Sequence, residues 1–457
     1  MNSPVSPANT HGSGPDAVEL PPASASEPEP ASAAAAPAVP EEIPAASRGR
    51  FARLPLLVGR AFIPLGLFAR LPLAMLTVGT LTLVTSASGS YALGGMAAGA
   101  VGIGSAVGAP VLGSLADRRG QRPVLLIAAL LNSIAVVALI LAVWATAESP
   151  GVPAAVLAAS FVSGASCPQV GPLARVRWMA LAAHGSAADQ TRDLDTALSY
   201  ESTADEVTFV LGPALVGILA SLLAPWLPLA VAVALTITLV PAFAVHRTHR
   251  AVPPSRPASG GQVPAGAQPR AARLPAAVAL PVSAMVCMGT FFGSTQTALS
   301  SFSAGFAGSE AAGLLYAVMG LSSAVAALSV AYWPQRFSPA RRWVLCASLM
   351  AALSLLLLLP SSMPAMVAAL LILGLPVGPV MVTVFAVGGS VAPAGRMGTV
   401  MTALASGIVA GTALGSSLGG HLAESHGYAA AFLVTAGAAS GLALLGAGAA
   451  VVLRRKA

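Results

Sequence analysis

The sequence predicts an all-α polytopic membrane protein, with twelve transmembrane helices in two pseudo-symmetric six-helix halves. Three observations predict it. Of 457 residues, 56% are hydrophobic and 9% charged, where a soluble domain carries roughly 25% charged residues. Apolar runs of about 18 to 26 residues, long enough to cross the bilayer, follow one another from residue 61 onward. At an offset of 203, residues 194–220 fall on 397–423, pairing Gly212 with Gly415 and Gly217 with Gly420. A chain this poor in charge cannot cover a water-facing surface of its size, so its solvent is lipid.

Residues 1–53 are expected to form a disordered cytoplasmic tail, rich in Pro, Ala, Ser and Glu and without the basic and apolar regions of a signal peptide. The N-terminal six-helix half is 54–246. Its spans are expected at 61–86, 91–114, 123–146, 152–174, 196–223 and 226–246. A Pro-, Gly- and Arg-rich cytoplasmic linker follows at 247–274. The C-terminal half, 275–453, holds spans at 275–301, 309–333, 343–360, 363–390, 397–422 and 428–453. A basic tail, 454–457, ends the sequence. We number these spans 1 to 12.

Arginine gives the spans a direction. With the N-terminus inside, the inner segments hold every one of the 23 basic residues except Arg70, which lies within span 1. Arg175 and Arg177 fall just past span 4 and count with these inner residues. The outer loops hold only Glu148, Glu310 and Glu424. This asymmetry places both termini in the cytoplasm of a cell with the chain in its inner (plasma) membrane. It also accounts for the net charge of +7 without nucleic acid, since no basic domain or aromatic–basic platform is present. Cys167, Cys287 and Cys346 sit in apolar runs with no paired spacing, so no disulfide framework is expected. No metal-ligand spacing, cofactor loop or nucleophile–base pair is found, which argues against an enzyme or an ATP-driven pump.

The segment Gly113-Ser114-Leu115-Ala116-Asp117-Arg118-Arg119-Gly120-Gln121-Arg122 resembles the signature loop between helices 2 and 3 of the major facilitator superfamily. The chain from 54 to 456 is similar to a twelve-helix bacterial transporter of that type. The resemblance implies that the loop latches one conformation, with roles for Asp117, Arg118 and Arg122. Gly113 and Gly120 allow close approach and a tight turn. Asp117 is suited to cap a facing helix N-terminus or to pair with an arginine. Gly212, Pro213 and Gly217 in span 5 resemble part of a motif that exporters of the superfamily carry there. The resemblance also implies a cavity lined by spans 1, 4, 7 and 10. Candidate substrate contacts are then Gln169, Phe291, Phe292, Thr295 and Gln296.

Ionisable residues inside a span are functional candidates, and here they are Arg70, Glu201, Asp205 and Glu206. Arg70 lies ten residues past Arg60, and Asp205 ten past Asp195, so both sit roughly 15 Å in from the cytoplasmic ends. Glu201 and Asp205 share a helix face, and Glu206 points about 100° away. The corresponding positions in the second half are Leu404, Ile408 and Val409, so the fold itself does not require the acids. Carboxylates sharing a low-dielectric site with an arginine are suited to proton exchange. A static salt bridge is the competing reading. The expected function is secondary active transport of a small organic molecule, outward and driven by proton exchange, by a monomer. Its partners are the substrate, protons and the bilayer. A nutrient symporter and a non-transporting membrane sensor or scaffold remain alternatives.

Overall fold

The computed structural model describes residues 49–146, 154–183, 186–255, 276–306 and 311–454. Most of the expected N-terminal tail, most of the linker, Glu148, Glu310 and the last three residues lie outside them. Among the described residues, twelve helical stretches are long and apolar enough to cross a membrane. Span 1 is α2 (Phe62–Phe68) with α3 (Leu71–Ser88), span 2 is α4 (Tyr91–Arg119), and span 3 is α5 (Gln121–Thr146). Span 4 is α6 (Ala154–Ala165) with α7 (Val170–Ala182). Spans 5 and 6 are α8 (Ala187–Leu222) and α9 (Leu227–Val245). Spans 7 to 9 are α10 (Ala276–Ala304), α11 (Ala311–Ser329) and α12 (Pro339–Ser354). Spans 10 to 12 are α13 (Met363–Val391), α14 (Met397–His426) and α15 (Tyr428–Arg454). A short α1 (Leu54–Val58) precedes them.

Two of the expected boundaries move for the same physical reason, and the end of span 4 moves as well. A hydrocarbon window marks where lipid begins, but a helix runs on into water wherever its ends are satisfied. Thus Leu115–Arg119, past the expected end at 114, belong to α4, and the turn shrinks to Gly120 at φ +88°. Likewise α8 starts near residue 187, where Ser186 Oγ accepts from Asp189 N. The tail expectation also needs correction. Residues 50–58 are helical, and Leu54 and Val58 are buried. Arg53 pairs with Asp189 and Asp193, at 3.6 and 3.4 Å. Arg50 donates to the Ala331 carbonyl and lies over the Tyr332 ring.

Two spans are broken. Pro72 has no N–H to offer the Phe68 carbonyl, and span 1 interrupts at Ala69 and Arg70. Pro168 does the same in span 4, where Ser166–Gln169 leave the helix. By contrast, Pro376 and Pro379 both sit within a continuous α13.

Lipid gives helices little hydrophobic reason to associate, so close van der Waals packing of small residues holds them. The tightest seam joins α10 to α14. A Cβ on Gly411 would lie 2.8 Å from Thr290 N and from Val286 C. The obstacle is backbone, which cannot swing aside. Gly411→Leu is therefore expected to destabilise the second half by at least the 1–3 kcal/mol or so typical of overpacking. Thermal unfolding in detergent measures this, and an unchanged midpoint would refute the seam.

The halves meet at the end of the bundle that carries most of the arginines, here called the basic end. There Asp117 reaches α14, Arg342 pairs with Asp195 at 3.1 Å, and Ser255, at the start of the linker, donates from Oγ to the Gly395 carbonyl. Deeper, Thr203 Oγ1 donates to the Ala324 carbonyl and Ser323 Oγ to Glu206 Oε1. Among the described residues, no hydrogen bond between the halves lies beyond Glu206 toward the opposite end.

Candidate functional site

The break in span 1 places Arg70 at its corner, 4% exposed. A guanidinium this buried needs anionic partners to offset its desolvation. It finds them on α8. Nη2 donates to Glu201 Oε2 at 2.7 Å, and Nη1 to Asp205 Oδ1 at 2.8 Å. Nε is held by the Gly66 carbonyl at 2.8 Å. The equal depth read from the sequence thus becomes direct contact, with Glu201 and Asp205 on one face of α8. Their roles in proton movement are taken up below.

The sequence reading missed a second arginine. Arg175 was counted among the inner loop residues, but α7 carries it into the bundle, 1% exposed. Its Nη2 donates to Asp205 Oδ2 at 2.7 Å, and its Cζ lies 3.9 Å from the Phe385 ring centroid on α13. Arg177 is also buried, bonded to Gln121 Oε1, the Phe243 carbonyl and Thr248 Oγ1. The reason is that the helix does not stop at 174. The helix resumes at Val170 as α7, and the span ends at Ala182 rather than 174. The signal was present: Trp178-Met179-Ala180-Leu181-Ala182 is apolar, and ending the span at 174 leaves that run in water. Trp178 joins the cluster too, its Nε1 donating to Glu201 Oε1 at 2.8 Å.

The result is two guanidiniums and two carboxylates in one network, with all four carboxylate oxygens accepting. Such a network offsets its desolvation only because its charges balance and its bonds are short. Glu206 stands apart, as its 100° offset predicts. It faces α11, accepting from Ser323 Oγ at 2.9 Å. No ion pair among the described residues includes Glu206.

Arg70, Arg175 and Asp205 of the network line a small central cavity of about 50 Å³. Both halves contribute, with Phe385, Ser406 and Ile408 from the second. Gln169 is part of its wall, 2% exposed, with Nε2 on the Cys167 carbonyl. The span 7 candidates are not. Phe291 is fully buried in the core of the second half, and Phe292 packs on Tyr316. Thr295 Oγ1 donates to the Phe291 carbonyl and faces Thr435 on α15. Gln296 is exposed. The α10–α14 seam sets this rotation, turning Phe291 and Thr295 away from the cavity.

The motif residues gather at the basic end. Asp117 accepts from Gly398 N at 2.8 Å, and from Thr399 N and Oγ1 at 2.7 Å each. It therefore caps the N-terminus of α14 across the boundary between halves. Gly113 makes this approach possible: a Cβ there would sit 2.9 Å from Thr402 Cγ2 and 2.6 Å from the Gly398 carbonyl. Arg118 and Arg122 are exposed, and no ion pair among the described residues includes them. On α8, a Cβ at Gly212 would fall 2.6 Å from Ala74 Cβ, whereas Gly217 meets nothing within 4 Å. Pro213 lies within the continuous α8.

Twelve spans around a cavity lined by buried charge define a membrane transporter rather than an enzyme. The sequence matches the Major Facilitator Superfamily over residues 62–407, more than half of its length, and the chain belongs to that family. No curated protein matches it. Among solved structures, the human organic anion transporter MFSD10 is similar at 19% identity and TM-score 0.63, covering 87% of this chain and 100% of that one. The E. coli fucose:proton symporter FucP has 16% identity and TM-score 0.57, covering 85% and 99%. A bacterial homologue of the iron transporter ferroportin, in an outward-facing state, has 12% identity and TM-score 0.62, covering 85% and 98%. At these identities the likeness is one of fold.

Proposed function

We propose that the chain is a proton-coupled secondary transporter that moves a small organic molecule by alternating access. It acts as a monomer in the plasma membrane, with both termini in the cytoplasm. One observation carries this reading: Asp205, the one carboxylate among the described residues that line the cavity, is bound to Arg70 and Arg175, and Arg70 ties it to the buried Glu201, all within one half. A charge network that the fold's pseudo-symmetry does not require fits work rather than scaffolding. Protons are exchanged at Asp205 or Glu201, and the arginines register the change. With the arginine-rich end in the cytoplasm, the sealed basic end makes this the outward-facing state.

Export is the direction that the partial motif of Gly212, Pro213 and Gly217 supports. Uptake by symport has its own support. Asp205 shares Arg175 with the cavity, and a proton on Asp205 frees that arginine for substrate, so that proton and substrate bind together.

Flux in proteoliposomes, with and without a pH gradient, tests both. A substrate found by screening small organic molecules should be driven by the gradient. Asp205→Asn should lower gradient-driven flux at least tenfold or so, the loss of one proton-transfer group, while exchange at equal pH continues. Unchanged gradient-driven flux in both Asp205→Asn and Glu201→Gln would sink the coupling. The sign of the gradient that accumulates substrate decides direction.

A further inference from the structure

Two buried hydrogen-bond donors, on residues that line the cavity, have no partner. Arg175 Nε has no hydrogen-bond partner, although the residue is 1% exposed, and Ser406 Oγ has none, at 8% exposed. Both residues line the cavity. A buried donor without an acceptor is costly, more so on a charged group. The acceptors tell the opposite story. Each carboxylate oxygen of Glu201 and Asp205 already receives a hydrogen bond. A cationic ligand would find its natural partners taken, whereas an anionic one would find donors waiting.

The backbone adds to this. The breaks in spans 1 and 4 start two half-helices at the cavity. α3 begins directly after Arg70, and α7 begins between Gln169 and Gly171, all three cavity-lining residues. Helix N-termini carry partial positive charge, and broken transmembrane helices use it on anionic substrate groups. A Cβ on Gly171 would lie 3.3 Å from Asp205 Oδ1 and 3.7 Å from both Arg70 Nη1 and Arg175 Nη1, so α7 opens against two guanidiniums and the one carboxylate they share.

On the reading of this cavity as the substrate site, we infer that it takes an organic monocarboxylate, a planar anion on an apolar body. The carboxylate accepts from Arg175 Nε and from Ser406 Oγ. The side-on edge of Arg175 is a two-donor fork, and Asp205 uses only the Nη2 side of it, which leaves Nε for a second carboxylate. The apolar body lies against Phe385, Phe209, Ile408 and Val409. Arg175 and Ser406 stand on opposite halves, so the substrate bridges the two bodies that must move together.

The test uses the purified full-length chain in detergent and three probes of one shape: 2-naphthoate, 2-naphthamide and 2-naphthylmethylammonium. Calorimetric titration should give saturable binding of naphthoate, about tenfold or more tighter than the amide, as the loss of a charged hydrogen-bond pair predicts. Ser406→Ala leaves no partner stranded, because Ser406 Oγ has none, and should weaken naphthoate severalfold with the amide unaffected. Arg175→Gln should erase the preference for acid over amide. Equal binding of acid and amide, tighter binding of the amine, no saturable naphthoate binding, or a preference unmoved by Ser406→Ala overturns the inference. Gradient-driven flux of a neutral or cationic molecule would overturn it while leaving the transporter reading intact. A chain that carries no substrate of any charge across proteoliposomes refutes the transporter reading itself.

Discussion

Arg70→Ala is expected to unfold or severely weaken the first half. The arginine satisfies one oxygen on each of Glu201 and Asp205, and Glu201 is itself fully buried. Without it, two carboxylates face each other across one turn of α8 with only Arg175 to neutralise them. Removing one partner of a buried ion pair costs about 3–5 kcal/mol, because the remaining charge stays desolvated. Thermal unfolding of the detergent-solubilised protein should show a large fall in midpoint, or no folded peak on size exclusion. The physical cause is separable by a second change. Arg70→Ala combined with Glu201→Gln removes the uncompensated charge and should recover much of the loss. Equal stability of Arg70→Ala and the parent would show that the network contributes nothing, and a double variant no better than the single would assign the loss to packing.

The next largest effect is expected at Asp117, and it is conformational. Its carboxylate accepts three hydrogen bonds from the first turn of α14. Bonds to a charged group contribute about 1.5–3 kcal/mol each, and every 1.4 kcal/mol or so is tenfold in population. Asp117→Ala should therefore release the basic end and shift the chain by two or more orders of magnitude toward the alternative state. Asp117→Asn keeps an acceptor and should shift it less. Spin labels at the exposed Arg119 and Arg341, on opposite halves, read the separation directly. The parent should give one short distance and Asp117→Ala a longer one. An unchanged distribution would show that the Arg342–Asp195 pair and the Arg50 contacts close this end without Asp117.

Much of this molecule is visible along the chain. The expected span of 363–390 appears as Met363–Val391, and that of 226–246 as Leu227–Val245. The pairing of Arg70 with α8 was accessible because depth is a count of residues from a helix end. Rotation was not. Whether Gln296 or Thr295 faces the cavity depends on how α10 turns against α14, and that depends on which glycines let which backbones touch. Arg175 escaped because the end of a span was taken from hydropathy alone, while the helix carries on through both arginines to Ala182.

The sequence by itself determined twelve spans, an expected direction for them, two related halves and a single charged level within an apolar bundle. These follow from properties that add residue by residue: hydropathy, charge and rise per residue. Only the tertiary structure decided that Asp205 is shared between two arginines, that Glu206 faces the opposite half instead, and that Arg175 and Ser406, which line the cavity, each keep a buried donor without a partner. Those outcomes depend on close approach between segments distant in sequence. They are set by backbone breaks at Pro72 and Pro168 and by glycine seams, where a displacement of one methyl group decides which side chains meet.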